Sequence, residues 1–454
     1  MTNFVAGAIV ASVMAVFAAQ AAEPMVAQIE AKADQASCQY RTDEKASTTF
    51  LLVDTNCVPL KAGRVKVLVD NYGARTILPT RTVDLADENP IRVTVGRDTP
   101  GFVRVRLVSD DPKSLKLRGN LSFGNYTSDF TYGLGFDVEK IISGTPNVAD
   151  FDAFWSDARA RLASTVPLDA RIEPRTLTNT AFRAWRVSFA TAQGRRVWGW
   201  ITEPEDLSAG PYPALVEVAG AGIGFTAPHP GDKGRIVLRM NVHTYPQAEG
   251  KGAVAEAERK RLGKEQDELF AKPCGVDVYW QAGIHKSRED YFFYASILGI
   301  DRAIDWLVSR PECDAKRIVY AGTSQGGGMG LALTALNKHI SRCVVYVPAL
   351  TDLLGSRIEE RKSGWPEIVE SQKPENRAAT AVNAPYFCGV NFARRITVPI
   401  RFVVGYADHA CVPNAIHAAY NACPSKDKAI VPGIAMSHRV YDEFYKRFDA
   451  WVRE

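Results

Sequence analysis

Gly322-Thr323-Ser324-Gln325-Gly326 is the stretch of this 454-residue chain whose residue types and spacing could most directly do chemistry. A serine hydroxyl becomes a nucleophile only when it protrudes from its backbone beside a base. The G-x-S-x-G spacing builds that exposure: a strand runs into a sharp turn, the serine takes the apex, and a helix leaves it. Glycines two residues before and after remove the Cβ atoms that such a turn would bring into collision. Gly327, Gly328 and Gly330 extend the run and let the helix pack closely on the sheet. Its N-terminus aims free N–H groups at an oxyanion forming on a substrate. Glycine-rich turns also cradle nucleotide phosphates, but those need G-x-G-x-x-G or a lysine after the glycines, and neither is found here.

A serine nucleophile needs a base and an acid, in the chain order Ser, Asp, His for this kind of elbow. Asp408 follows the strand-like run Ile400 to Gly405 in a Gly-x-x-Asp arrangement and is the preferred acid. Asp352, after the run ending at Val347, competes with it; the plainer role for Asp352 is a helix N-cap. Of the seven histidines, His438 falls between the last strand and the C-terminal helix, where a ring can fold over the strand ends. His409 and His417 lie too near Asp408 to fill that place, and His229, His243, His285 and His339 precede it. Two backbone N–H donors must face the oxyanion. Gln325 supplies one, and Ala221, in the Gly-rich turn after the run Ala214 to Ala219, supplies the other; Gly220 and Gly222 could equally donate. Tyr279 and Trp280 could stack on a sugar, with packing as the plainer reading. No C-x-x-C pair or Cys/His cluster has zinc spacing, so no metal and no cofactor is implied.

These residues must be held by a sheet. From Phe182 onward strands and helices alternate, the pattern of a mostly parallel sheet covered on both faces. Strands are expected at 183–191, 197–202, 214–219, 235–242, 317–322, 343–347, 400–405 and 429–433. Helices are expected at 150–162, 252–270, 291–309 and 440–453. The fold predicted is an α/β-hydrolase fold over 141–454. Ahead of it, residues 23–140 read as short strands, at 49–53, 64–69, 91–95 and 103–108, separated by turn residues without a helical period. That region is expected to be an all-β, sandwich-like domain.

Composition bounds the rest. A net charge of +4 over this length leaves no footprint for nucleic acid. Phe4 to Ala22 carries no charge, and Ala19-Gln20-Ala21 is a small-x-small cleavage pattern. Residues 1–22 are therefore expected to be a signal peptide, giving a periplasmic or secreted protein; an uncleaved membrane anchor is the alternative. No lysine or arginine precedes the apolar stretch, which departs from the usual signal. All eight cysteines follow it, and Cys38 with Cys57 is the expected pair if a disulfide forms.

From about residue 147 to 454 the chain resembles the acetyl xylan esterase and cephalosporin-C deacetylase family of carbohydrate esterases. The likeness rests on Pro146 to Trp155 with its Asp-Phe-Asp-Ala-Phe-Trp core, on Gly322 to Gly327, and on Pro385 to Ile396. Its most specific part is Gly405 to Asn421, which carries Asp408, Cys411, Pro413 and Ala418-Ala419-Tyr420-Asn421. The resemblance implies Asp408 as the acid and removal of acetyl groups from an acetylated saccharide through an acyl-enzyme. The chain departs from the family at Met240-Asn241-Val242-His243, where Arg-Gly-Gln is usual, and at Arg439, where Glu usually follows the histidine. The first departure sits near the expected pocket and bears on the acyl or sugar preference. Two other readings start from the same residues: a serine peptidase of the prolyl-oligopeptidase type, whose propeller repeats are missing here, and a noncatalytic carbohydrate-binding protein on a hydrolase fold.

Overall fold

Alternation of buried and exposed residues along the N-terminal third leaves one face of each strand apolar, and such strands must pair face to face. The computed structural model describes residues 24–120, 129–222, 224–246, 249 and 252–453, so the expected signal segment lies outside the described residues. Nine strands come first: β1 (Met25–Ala33), β2 (Gln39–Tyr40), β3 (Lys45–Val53), β4 (Arg64–Asp70), β5 (Thr76–Asp84), β6 (Ile91–Gly96), β7 (Gly101–Ser109), β8 (Leu115–Leu117) and β9 (Asp129–Phe136). They form a four-stranded sheet, β6-β3-β1-β8, and a five-stranded sheet, β2-β9-β7-β4-β5. Phe50 of β3 packs edge-on against Phe130 and Tyr132 of β9, ring centroids 6.3 and 5.8 Å away, which joins the sheets into a sandwich.

Helix α1 (Phe151–Thr165) follows and buries Phe151, Phe154, Trp155, Ala158 and Leu162, spaced to share one helical face. Trp155 Nε1 donates to the Tyr386 carbonyl at 3.0 Å. Then come β10 (Arg171–Arg175), β11 (Phe182–Ala190), β12 (Arg196–Pro204), β13 (Tyr212–Val218), β14 (Ile236–Met240), α2 (Gly252–Gln266), α3 (Phe292–Val308), β15 (Cys313–Thr323), α4 (Gln325–Leu336) and β16 (Ile340–Tyr346). The chain ends with α5 (Arg377–Asn383), α6 (Gly389–Ala393), β17 (Ile400–Gly405), α7 (Pro413–Ala422), β18 (Lys428–Gly433) and α8 (Asp442–Arg453).

These last nine strands make one sheet in the order β10-β11-β12-β14-β13-β15-β16-β17-β18. It is parallel from β14 to β18 and antiparallel at the β10, β11 and β12 edge. The inner strands are buried on both faces, as parallel strands between helices must be. Phe444, Phe448 and Val452 of α8, four residues apart, cover one face; α3 and α4 lie in the core on the other. The chain passes from β13 to β14 on one side and then returns to β15 on the other. That reversal opens a crevice at the carboxyl ends of β13 and β15, where α/β sheets place ligands. No helix among the described residues is long and apolar enough to cross a membrane.

Three expectations need correction. The helix expected through Phe270 ends at Gln266 and gives way to a wider-wound turn over Asp267–Ala271. The edge strand β10 was not anticipated; its sequence, Arg-Ile-Glu-Pro-Arg, is mostly exposed and carries a proline that only an edge tolerates. Cys38 and Cys57 are both free, the first buried and the second exposed. Cys57 lies in the turn beyond the carboxyl end of β3, whereas Cys38 lies in the connection leading to its amino end and turns into the sandwich. Cys38 Sγ instead lies 3.1 Å from the Tyr132 hydroxyl. A thiol titration of the denatured protein without reductant should count eight; a count of six would restore a disulfide.

Candidate active site

Ser324 sits where β15 turns into α4, with φ 59° and ψ −120°. Few side-chain-bearing residues adopt that conformation, and here the surrounding backbone imposes it. Its N–H donates to the Tyr346 carbonyl at 2.8 Å, and its carbonyl accepts from Ala349 and Gly328 at 2.9 and 3.0 Å. A Cβ at Gly322 would overlap the Gly326 carbonyl, and one at Gly326 would overlap the Val218 carbonyl. Those two glycines are therefore required by close approach of the elbow to itself and to β13.

The loops after β17 and β18 bring the other two residues to this point. His438 Nε2 lies 2.9 Å from Ser324 Oγ, and His438 Nδ1 lies 2.9 Å from Asp408 Oδ2. Thirty and 114 residues of chain separate the partners of these two bonds, so the fold and not local sequence makes them neighbours. Asp408 is fully buried; its second oxygen accepts the N–H groups of Ala410 and Cys411 at 2.8 and 3.0 Å. Burial by itself would lower the affinity of His438 for a proton. The hydrogen bond and negative charge of Asp408 outweigh it and raise His438 above the ordinary 6.5. With Nδ1–H donating to the carboxylate, Nε2 is left to accept the serine proton. This arrangement can perform acyl transfer.

Asp352 is elsewhere. Its Oδ1 accepts from the Ser143 hydroxyl at 2.7 Å and from the Thr145 hydroxyl and N–H at 3.0 and 3.1 Å. It ties the segment before α1 to the loop after β16, a structural task. Among the described residues, Asp408, Cys411 and His438 also form a group with ligand atoms within 4.8 Å of one another. Two of those ligands belong to the relay just described. The Cys411 thiol is pushed far above its usual range by burial and by the charge of Asp408.

Of the two expected oxyanion donors, Gln325 opens α4 directly after Ser324. The turn after β13 runs beside it: a Cβ at Gly220 would stand 3.9 Å from Ser324 Cβ, with Ala221 next along the chain. Tyr279 does not offer a sugar a face, because it is almost wholly buried. Its hydroxyl donates to Gln325 Oε1 at 2.7 Å and lies beside the Gly222 backbone, linking both arms. His243 Nε2 meets the Gly222 carbonyl, and its ring lies 4.9 Å from that of Tyr279. Trp280 is half-buried against Trp365, centroids 5.3 Å apart. Sequence reasoning found Tyr279 as an aromatic near the mouth but missed its bracing role, and it passed over Trp365. Neither carries a local motif; only tertiary contact reveals them.

Residues 137–451 match the acetyl xylan esterase (AXE1) family. The chain belongs to the acetyl xylan esterase family. It is 29% identical over 345 residues to the acetyl esterase Axe7A of Xylanibacter ruminicola, covering 74% of this chain and 70% of that protein. Its fold is similar to acetyl xylan esterase 1 from Thermoanaerobacterium sp. JW/SL YS485, with TM-score 0.55, 21% identity, and coverage of 70% of this chain and 96% of the other. It is also similar to an acetyl xylan esterase from Paenibacillus sp. R4, with TM-score 0.53, 23% identity, and coverage of 69% and 97%. This acetyl xylan esterase family member is accordingly a hydrolase with an α/β-hydrolase fold. Replacing Tyr279→Phe should lower kcat for an acetyl ester about tenfold, the scale of one lost hydrogen bond, with KM little changed. Steady-state kinetics on p-nitrophenyl acetate would check this, and an unchanged kcat would remove Tyr279 from the oxyanion scaffold.

Proposed function

We propose that this protein removes acetyl groups from acetylated carbohydrate through an acyl-enzyme on Ser324. The observation that carries the reading is the continuous hydrogen-bonded chain Ser324–His438–Asp408 at the crevice where the sheet order reverses. His438 Nε2 takes the serine proton as the hydroxyl attacks the ester carbonyl, while Asp408 holds the ring tautomer and stabilises the imidazolium. The N–H groups of Gln325 and Ala221 receive the oxyanion. The alcohol leaves with the proton from His438, and water, activated by the same imidazole, releases acetate. Membership of the acetyl xylan esterase family and a relative named as an acetyl esterase support acetate as the leaving acyl group. Trp280 and Trp365 supply a partly open aromatic surface for a sugar ring. The apolar start of the chain supports export, which suits a polymeric substrate outside the cytoplasm.

A peptidase reading has less support. The sequence before α1 builds a four- and a five-stranded sheet, not the repeated blades of a propeller. A panel of acetylated xylan, acetylated oligosaccharides and peptide nitroanilides should give acetate release on the saccharides. Ser324→Ala should lose on the order of 10⁶ in kcat, as other serine triads do. Near-normal turnover by that variant would end the proposal.

The pH profile tests the relay separately. His438 must be neutral to act, so the rising limb of kcat/KM follows its pKa. Asp408→Asn deletes the charge that raises that pKa and leaves burial, which lowers it. The rising limb should therefore move to lower pH while the rate falls on the order of 10⁴-fold. A limb that stays in place would show that another group titrates.

A further inference from the structure

The loops carrying Asp408 and His438 are bonded to each other: Tyr406 N–H donates to the Gly433 carbonyl at 2.9 Å, and Ala407 N–H to the Met436 carbonyl at 3.0 Å. Behind them lies the N-terminal sandwich. The Tyr72 hydroxyl, just past β4, donates to the Tyr406 carbonyl, two residues before the acid. Burial drives Tyr72 far above the ordinary phenol range, so it stays protonated and remains a donor. Gln39 Nε2 donates to the Tyr406 hydroxyl at 2.7 Å, and Phe102 of β7 packs edge-on to that ring at 4.7 Å. Gly133 of β9 is pressed so closely that a Cβ there would overlap the Tyr406 carbonyl. The base loop is held as well. Asn120 Nδ2 donates to the Ala435 carbonyl at 2.7 Å, three residues before His438, while its Oδ1 accepts the Thr131 N–H at 2.8 Å.

We propose that the N-terminal sandwich is a positioning device for the relay, with Tyr72 and Asn120 as its positioning residues, fixing the two loops so that Asp408 and His438 meet in register. The proposal rests on the reading of Ser324, His438 and Asp408 as the catalytic relay. Several independent contacts carry it. They come from separate strands and turns of the sandwich, yet they converge on residues 406 and 435, three of them on backbone carbonyls and one on the Tyr406 hydroxyl. A sandwich serving only as a spacer or a polysaccharide anchor would not need to reach these carbonyls. Tyr72 and Asn120 touch neither substrate nor reacting atoms in this scheme; they act through Asp408 and His438.

The test uses the full chain and p-nitrophenyl acetate. Tyr72→Phe and Asn120→Ala should each lower kcat about tenfold, the scale of coupling between residues in contact, with KM within about twofold of wild type. The discriminating measurement is a double-mutant cycle. In an Asp408→Asn background, Tyr72→Phe should change kcat by less than about twofold, because the carboxylate it positions is already gone. An equal loss in both backgrounds, or wild-type kcat in both single variants, would overturn the proposal. If Tyr72→Phe does not fold, Gln39→Ala is read by the same cycle, since its partner is the half of Tyr406 facing the sandwich. Ser324→Ala measured alongside separates the two ideas. Activity in that variant sinks the relay itself, whereas an inactive Ser324→Ala beside fully active Tyr72, Asn120 and Gln39 variants sinks only the positioning role.

Discussion

Ser324 holds φ 59° and ψ −120°, a conformation that costs a side-chain-bearing residue about 1–3 kcal/mol, and much of the surrounding structure exists to keep it there. The neighbouring strand supplies an acceptor for its N–H through Tyr346, and the start of α4 and the loop after β16 supply donors to its carbonyl through Gly328 and Ala349. The glycines at 322 and 326 let the elbow press against itself and β13 without collision. If any of these supports relaxed, the hydroxyl would rotate off the line to His438. A shift of about 1 Å at a reacting atom is enough to cost on the order of 100-fold in rate.

The electrostatics follow from that fixed point. A carboxylate with no exposure is tolerated only when hydrogen bonds replace its lost water. Asp408 receives three: two from backbone N–H groups of its own loop and one from His438. The same burial governs Cys411, whose thiol lies within the cluster of Asp408 and His438 and would, as a thiolate, be a stronger nucleophile than any serine. Burial and the nearby negative charge hold it protonated. One carboxylate thus raises the basicity of the imidazole beside Ser324 and keeps the neighbouring sulfur protonated.

What could be read from the chain followed from how local each signal is. The elbow is a contiguous pentapeptide with glycines at fixed offsets, so its strand, turn and helix were all legible. The parallel strands announced themselves as short apolar runs, and His438 and Asp408 by their order after them. The rest depended on contacts across distance. Tyr279 reads as one aromatic among many until the fold places its hydroxyl between Gln325 and Gly222. Tyr72 and Asn120 stand more than 280 residues before the loops they bond, in turns whose residue types signal only a turn. The expected Cys38–Cys57 disulfide failed for a related reason: proximity in sequence was outweighed by the fold, which turns Cys38 into the sandwich and leaves Cys57 exposed.

The supports of the site from outside the sheet gather on the loops at its strand ends, and this has a physical reason. A strand inside a parallel sheet is fixed by its hydrogen-bond ladder on both sides. The loops at its carboxyl end lose that ladder within a residue or two, yet they carry His438, Asp408 and the turn of Gly220 to Gly222. Each such loop here has an external brace. Tyr279 and His243 hold the turn after β13, the Tyr72 hydroxyl and Gln39 hold the loop after β17, and Asn120 holds the loop after β18. At the departure from the family's Arg-Gly-Gln, the His243 ring bonds the Gly222 carbonyl and stacks on Tyr245 at 5.0 Å. The elbow is enclosed by β15, β16 and α4, and the Ala349 N–H, the Tyr279 hydroxyl and the Tyr445 hydroxyl add contacts to it from outside. The bracing thus falls on the ends of the strands, where the ladder stops.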